Sequence, residues 1–292
     1  MYNCSALVIP LQKDIEIEII ENSKCEIEVF DYNKRIIDYN KELTLKAAKK
    51  ILQLLGIKDD LRIIIKTNLP INTGLGSSAG FSIALISTLV KRYKINLSED
   101  ERFRTAMEAE KIFHCATLGI DIIATMLQKS LILSIERNNK LKIKQITKNL
   151  NLHFLLISAG KKPGTRTMVE KVKQFSIENK ERFNQIIEDY KEIIKKAEEI
   201  ILNDTSLNNQ ENKEKDFAEL INKNHILLIE LGISNANIEK VISLGKTNGV
   251  LASKITGAGN GGYVLALVQK DKIDKLKEIF AKKGYDVIEC GM

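Results

Sequence analysis

The chain has 292 residues, of which 44% are hydrophobic and 28% charged, with a formal net charge of +7, four cysteines and no tryptophan. That length holds one large domain or two medium ones around a sizeable core, and the composition excludes a disordered chain. No apolar run approaches the ~20 residues of a membrane span. The opening MYNCSALVIPLQKD has no basic leader before its apolar piece, so no signal peptide is expected. Cys4, Cys25, Cys115 and Cys290 lie far apart and form no CxxC pair, as expected of reduced thiols in a cytoplasmic protein rather than of disulfides or a zinc site. Lysines interleave with glutamates, as in EKVKQFSIENKERF, and aromatic residues are only 5% of the chain. The basic charge therefore reads as a solvated surface and not as a nucleic-acid face.

In chain order, the alternation IEIEII predicts a strand over 15–20, and 24–30 forms a second. Helical spacing over 44–55 stops at Gly56. LRIIIK, 61–66, reads as a buried strand, followed by a Gly/Ser loop and a helix over 77–93. Ser98 and Glu101 form a capping box that opens a helix running to Phe113. A short helix is expected over 121–128, and strands over 131–135, 141–146 and 152–158. The second half is helix-rich, with helices over 165–175, 181–202, 217–231 and 237–248. The segment 181–202 places Phe183, Ile186, Ile187, Tyr190, Ile193, Ile194, Ala197 and Ile201 on one face. The polar stretch 203–216 reads as an exposed loop. The end runs strand 251–255, the turn TGAGNGG, strand 263–268, helix 272–283 and strand 286–289. No Pro- or Gly-rich linker and no internal repeat appears. The expected organisation is two intimately packed α+β halves, 1–150 and 151–292, with a cleft between them.

Three stretches carry chemistry. INTGLGSSAG, 71–80, puts glycines and serines directly before an apolar helix. A helix start has unpaired N–H groups and partial positive charge, and glycines let a phosphate approach them. The spacing is not that of a Walker A loop. The alternative is a turn with a serine N-cap. EAEKIFHCATLGID places Glu110 near one helix end and Asp121 at the start of the next, across Gly119. Two carboxylates beside a phosphate loop suit magnesium binding and hydroxyl activation. Taken alone, Glu110 reads rather as a solvated helix residue, Asp121 as an N-cap and His114 as a hydrogen-bonded packing residue. KITGAGNGGY, 254–263, again suggests backbone approaching a ligand, or a tight hairpin.

Together PINTGLGSSAG, AEKIFHCATLGID and KITGAGNGG resemble the three ordered motifs of the GHMP small-molecule kinases, most closely the mevalonate kinase branch. FLLISAGKKPGTRTMVEKV resembles the segment that carries a substrate-facing threonine, here Thr165, and NKNHILLIELGIS resembles the helix preceding the third motif. The resemblance implies an α+β GHMP kinase fold, with an N-terminal half like ribosomal protein S5 domain 2, a ferredoxin-like C-terminal half and the active site between. It implies ATP as co-substrate, with Gly74, Leu75, Gly76, Ser77 and Ser78 wrapping its phosphates and Gly257, Ala258 and Gly259 supporting that loop. Ser78 and Glu110 would hold Mg2+, Asp121 would act on the attacking hydroxyl, and Thr165 would face the substrate, mevalonate. A cytoplasmic enzyme follows, with small-molecule partners only and with room for a homodimer.

The sequence departs from this pattern at its front. Family members open with a strand and loop resembling P-x-K-x-x-L-F-G-E-H, whereas residues 1–20 here already resemble the segment after it. Two accounts stand side by side: a start placed downstream of that motif, or a shortened and impaired kinase. Ala116–Leu118 stands where the family often has Pro-Ser, and Asn260 interrupts the last glycine run. A related kinase with another small substrate and a non-catalytic nucleotide-binding protein remain the competing readings.

Overall fold

The structure is a computed structural model that describes residues 5–11, 15–31, 33–37, 39–67, 69–70, 74–114, 118–135, 141–147, 150–160, 165–202 and 210–291. They form two compact units: Pro10–Gln128, and Met1–Ile9 with Lys129–Met292. The short strand β1 (Ala6–Val8) belongs to the latter and pairs antiparallel with β5 (Leu131–Ile135).

In the unit Pro10–Gln128, β2 (Ile15–Glu21), β3 (Glu26–Phe30) and β4 (Leu61–Thr67) form a mixed sheet of order β2-β4-β3. The β2/β4 pair is antiparallel and the β3/β4 pair parallel, so a crossover is required. It is supplied by α1 (Lys41–Leu54). That helix starts earlier than its apolar spacing suggests because Asn40 caps it, accepting from the Leu43 N–H. It ends at Gly56, whose φ of 70° is the left-handed conformation that glycine adopts freely. Alternate residues of β4 are buried, and Ile63 and Ile65 share a core with Ala47 and Ile51 of α1. The same core takes in Leu85, Ile86 and Leu89 of α2 (Ser77–Tyr93) and Ala106 and Ala109 of α3 (Glu99–His114). The capping box is present: Ser98 N–H and Oγ both donate to Glu101 Oε2, at 2.9 and 2.6 Å, and Glu101 N–H donates back to Ser98 Oγ at 3.3 Å. Helix α4 (Ile120–Leu127) closes the unit.

In the other unit, β5 and β6 (Leu141–Gln145) extend from β1 as an antiparallel sheet. A second sheet contains β7 (His153–Ser158), β8 (Ala252–Ile255), β9 (Tyr263–Val268) and β10 (Val287–Gly291) in the order β10-β7-β9-β8, all antiparallel. Numbering those four strands by sequence gives 4-1-3-2, with a helical crossover in each half: the ferredoxin-like arrangement. Helices α5 (Thr165–Glu178), α6 (Lys180–Leu202), α7 (Gln210–Glu230) and α8 (Ala236–Thr247) lie between β7 and β8, and α9 (Ile273–Lys282) between β9 and β10. Two cores cover its faces: one around Val264, Ala266, Leu276 and Phe280, the other around Phe154, Leu267, Ile186 and Phe217.

One expectation is corrected. The polar stretch 203–216 is not all loop: its residues from Gln210 belong to α7, while 203–209 lie outside the described residues. Lys215 pairs with Glu211 one turn away at 2.8 Å, a spacing that supports an exposed helix without apolar residues. Cys25 and Cys290 are free thiols; Cys4 and Cys115 lie outside the described residues. No described helix is long and apolar enough to cross a membrane.

Candidate active site

Helix α2 begins at Gly76, the N-cap residue, whose φ of 73° is left-handed and which supplies no side-chain cap. The serine N-cap alternative is thus excluded, because Ser77 and Ser78 sit inside the first turn. First-turn N–H groups have no intrahelical acceptor, so this end of α2 presents donors and the positive end of its dipole. Gly74, with φ 83°, precedes it, and Leu75 is half-buried between the two glycines.

Ser78 Oγ donates to Glu110 Oε1 at 2.9 Å. Glu110, near the end of α3, is only 2% exposed; it is not the solvated helix residue of the bland reading. Its Oε2 is buried and has no hydrogen-bond partner among the described residues. Burial raises the Glu110 carboxyl to about 7; the Ser78 hydrogen bond opposes that rise and the charge of Asp121 adds to it. His114, one turn further along α3, places Nε2 3.2 Å from Ser78 Oγ and 3.4 Å from Glu110 Oε1. Its place here was missed in the sequence, although its i,i+4 spacing from Glu110 would have shown it.

Asp121 belongs to the first turn of α4, whose N-cap is Gly119 at φ 73°, so Asp121 is not an N-cap. It is exposed. A Cβ built on Gly76 would lie 3.7 Å from Asp121 Cβ and 3.8 Å from its Cγ. The Gly/Ser turn and the aspartate are therefore neighbours. Gly119 has no room for a side chain, since a Cβ would come within 2.7 Å of Met107 Sδ and 2.8 Å of the Phe103 ring. Gly74, Leu75, Gly76, Ser77, Ser78, Glu110 and Asp121 are thus gathered in one unit by two helix starts and one helix end. Ala116 and Thr117, where substrate contacts were expected, lie outside the described residues.

In the other unit, β8 and β9 are joined by the second glycine loop. Gly257 and Gly259 have φ of 62° and 83°, and Ala258 packs on the core beside Ile233 and Val264. Thr256 closes the loop, donating through both N–H and Oγ1 to the Tyr263 carbonyl at 3.1 and 2.9 Å. Lys254 donates to the Ile255 carbonyl at 2.9 Å, and burial lowers its ammonium to about 8. Thr165 is the first residue of α5.

A carboxyl titrating near 7 in the folded state and at 4.5 otherwise binds its proton more tightly when folded. Its contribution to stability is full below pH 4.5 and is lost as pH rises towards 7. We expect the metal-free protein to lose about 3 kcal/mol of unfolding free energy over that window relative to Glu110→Gln. Urea unfolding of both proteins at a series of pH values measures this, and parallel pH profiles would refute it.

Family models match two stretches of the chain: GHMP kinases N terminal domain over 42–129 and GHMP kinases C terminal over 207–286. A mevalonate kinase of Methanocaldococcus jannaschii is 30% identical over 309 aligned positions, covering 100% of this chain and 93% of that protein. The crystal structure of the Methanococcus jannaschii mevalonate kinase superposes with a TM-score of 0.78 at 26% identity, over 100% of this chain and 92% of that one. That of L. major mevalonate kinase in complex with R-mevalonate gives 0.80 at 23% identity, over 96% and 86%, a likeness of fold. The ordered motifs, the 4-1-3-2 sheet and full-length similarity agree: this chain belongs to the GHMP kinases.

Proposed function

We propose that this kinase transfers the γ-phosphoryl group of ATP to the primary hydroxyl of mevalonate. The observation that carries the reading is Glu110: a buried carboxylate with one oxygen on Ser78 and the other unpartnered among the described residues, set at a helix start without a side-chain cap. Burying an uncompensated carboxylate is costly, and a cation beside Oε2 would remove that cost. Ser78 and Glu110 fit Mg2+, which takes few protein ligands and completes its shell with water and phosphate oxygens. Among the described residues no cluster of three or more His, Cys, Asp or Glu side chains could form an all-protein cage. When bound, the ion would neutralise phosphate charge.

The chain's own groups divide the remaining work. The backbone from Gly74 to Ser78 would receive the phosphates at the N-terminus of α2, where the absent side chain of Gly76 allows close approach. Gly257, Ala258 and Gly259 are the nucleotide-binding residues that we assign to the second glycine loop. Asp121, beside Gly76, would orient the substrate hydroxyl and accept its proton as the new P–O bond forms and ADP departs. Thr165 would contact the substrate. Phosphoryl transfer asks mainly for positioning and charge compensation, which is what these groups offer. The mevalonate assignment is supported by the relatives' activity and by full-length similarity to them.

Three outcomes are expected. Gly76→Val should abolish Mg·ATP binding in titration calorimetry. Gly56→Val, with similar backbone strain at φ 70° but nothing within 4 Å of its Cβ, should leave binding intact; equal affinities in the two variants would sink the loop assignment. In a substrate panel with ATP, mevalonate should outperform homoserine, galactose and phosphomevalonate, and a different winner would move the chain to a sister activity. Asp121→Asn should lower kcat by about 10²–10⁴-fold with ATP affinity little changed, and an unchanged kcat would remove Asp121 from the mechanism.

A further inference from the structure

Asn260 interrupts the glycine run TGAGNGG. Its φ of 56° is left-handed, a conformation that glycine reaches freely and that Asn tolerates better than most residues. Backbone geometry alone would be met at least as well by glycine, so the side chain must be judged by what it bonds. Its Oδ1 accepts from Asn235 Nδ2 at 3.0 Å. Asn235 is the N-cap of α8, and its own Oδ1 accepts from the Ile238 N–H at 3.0 Å. One side-chain amide therefore caps a helix and holds the glycine loop.

The neighbouring backbone reinforces this join. Helix α7 stops at Gly232, φ 71°, with the Gly232 N–H on the Ile229 carbonyl and the Ile233 N–H on the Leu228 carbonyl. That stop, with Leu228 and Ile233 packed in one core, fixes the direction of the next carbonyl. The Ile233 carbonyl accepts from the Asn260 N–H at 2.7 Å. It also lies 2.5 Å from where a Gly259 Cβ would be, so the loop and the helix link pass at backbone contact. The base of the loop is held at Thr256 and at Gly262, whose N–H donates to the Gly160 carbonyl at 2.9 Å. Its glycine-rich tip is held through Asn260.

We propose that Asn235 and Asn260 form a latch that fixes the pose of Gly257, Ala258 and Gly259 for the bound nucleotide phosphates. Both are positioning residues, acting through the loop backbone rather than on the substrate. The inference rests on the reading that this loop serves ATP.

The test is a set of variants read by Mg·ATP titration calorimetry and by thermal unfolding. Asn235→Ser keeps a good N-cap but is too short to reach Asn260; Asn260→Gly keeps the backbone and deletes the bond. Each should weaken Mg·ATP affinity about three- to tenfold, the scale of one net hydrogen bond, and the double variant should be no weaker than either single one. Asn235→Asp should stay within about twofold of the parent, because the Asn260 amide can turn over and donate to the new carboxylate. Additive losses, or lowered thermal stability with unchanged Mg·ATP affinity, would overturn the latch. If the parent chain fails to bind Mg·ATP, the nucleotide reading itself falls. If the parent binds, Gly76→Val does not and the Asn variants bind unchanged, the latch alone falls.

Discussion

A carboxylate buried against the first turn of a helix is the constraint on which one half of this protein depends. Glu110 sits where water cannot solvate it, and its position is set by helix packing. Ala79, Ala106 and Ala109 are fully buried small residues on α2 and α3 that let the two helices approach closely. Phe81 and Phe113 meet edge to face at 6.3 Å between the same helices. A Cβ on Gly80 would lie 2.7 Å from Ile15 Cδ1, so this side chain of β2 packs closely on the first turn of α2. The core thereby holds Ser78 and Glu110 within hydrogen-bond distance, and the helix start faces a carboxylate whose second oxygen is unpartnered among the described residues. Core packing and site electrostatics are one arrangement here.

The second glycine loop is positioned by a different device. Its two flanking strands belong to a sheet covered by two cores, so the hairpin base is rigid. Its tip packs through Ala258 and Gly259 against Ile233 and is tied by hydrogen bonds to the short link between α7 and α8. That link is over-determined, with a glycine stop on one side and an Asn cap on the other. Glycines provide approach to a ligand at an entropic cost, and the neighbouring helix ends restrict the freedom they introduce.

Much of the fold was legible in the sequence, for physical reasons that differ between elements. Strands 131–135 and 263–268 were read to the residue because apolar runs bounded by turn residues leave few alternatives. The capping box at Ser98 is a local signal and was found locally. What escaped was non-local or ambiguous in chemistry. The pairing of Ala6 with Leu133 joins residues that share no sequence pattern. The first turns of α7 are polar and charged, a composition shared by loops and solvated helices. At the site, the glycines marked the turn before α2, but which residue caps the helix depended on backbone angles that a Gly-Ser run leaves open. The sequence placed Glu110 and Asp121 in one stretch; that Glu110 is buried follows from packing of α3 on α2.

This difference explains why the family is clearer than the substrate. The motif segments are built largely from backbone: left-handed glycines at Gly76, Gly119 and Gly259, and helix starts at Ser77 and Ile120. The family itself is shown by two matching family models and by a relative 30% identical over the whole chain. Substrate choice rests instead on a few side chains that meet a small molecule, where a single hydroxyl or methyl changes the discrimination. Residues around Ala116, Thr117 and Thr165 would carry that choice, and here the sequence has Ala116–Leu118 where its relatives' motif often carries a Pro-Ser pair. On that proposal, a substitution at such positions would alter which hydroxyl is presented for phosphorylation without touching the nucleotide motifs. Backbone geometry thus shapes the motif segments, and the choice of substrate would fall to side chains that this geometry leaves free to vary.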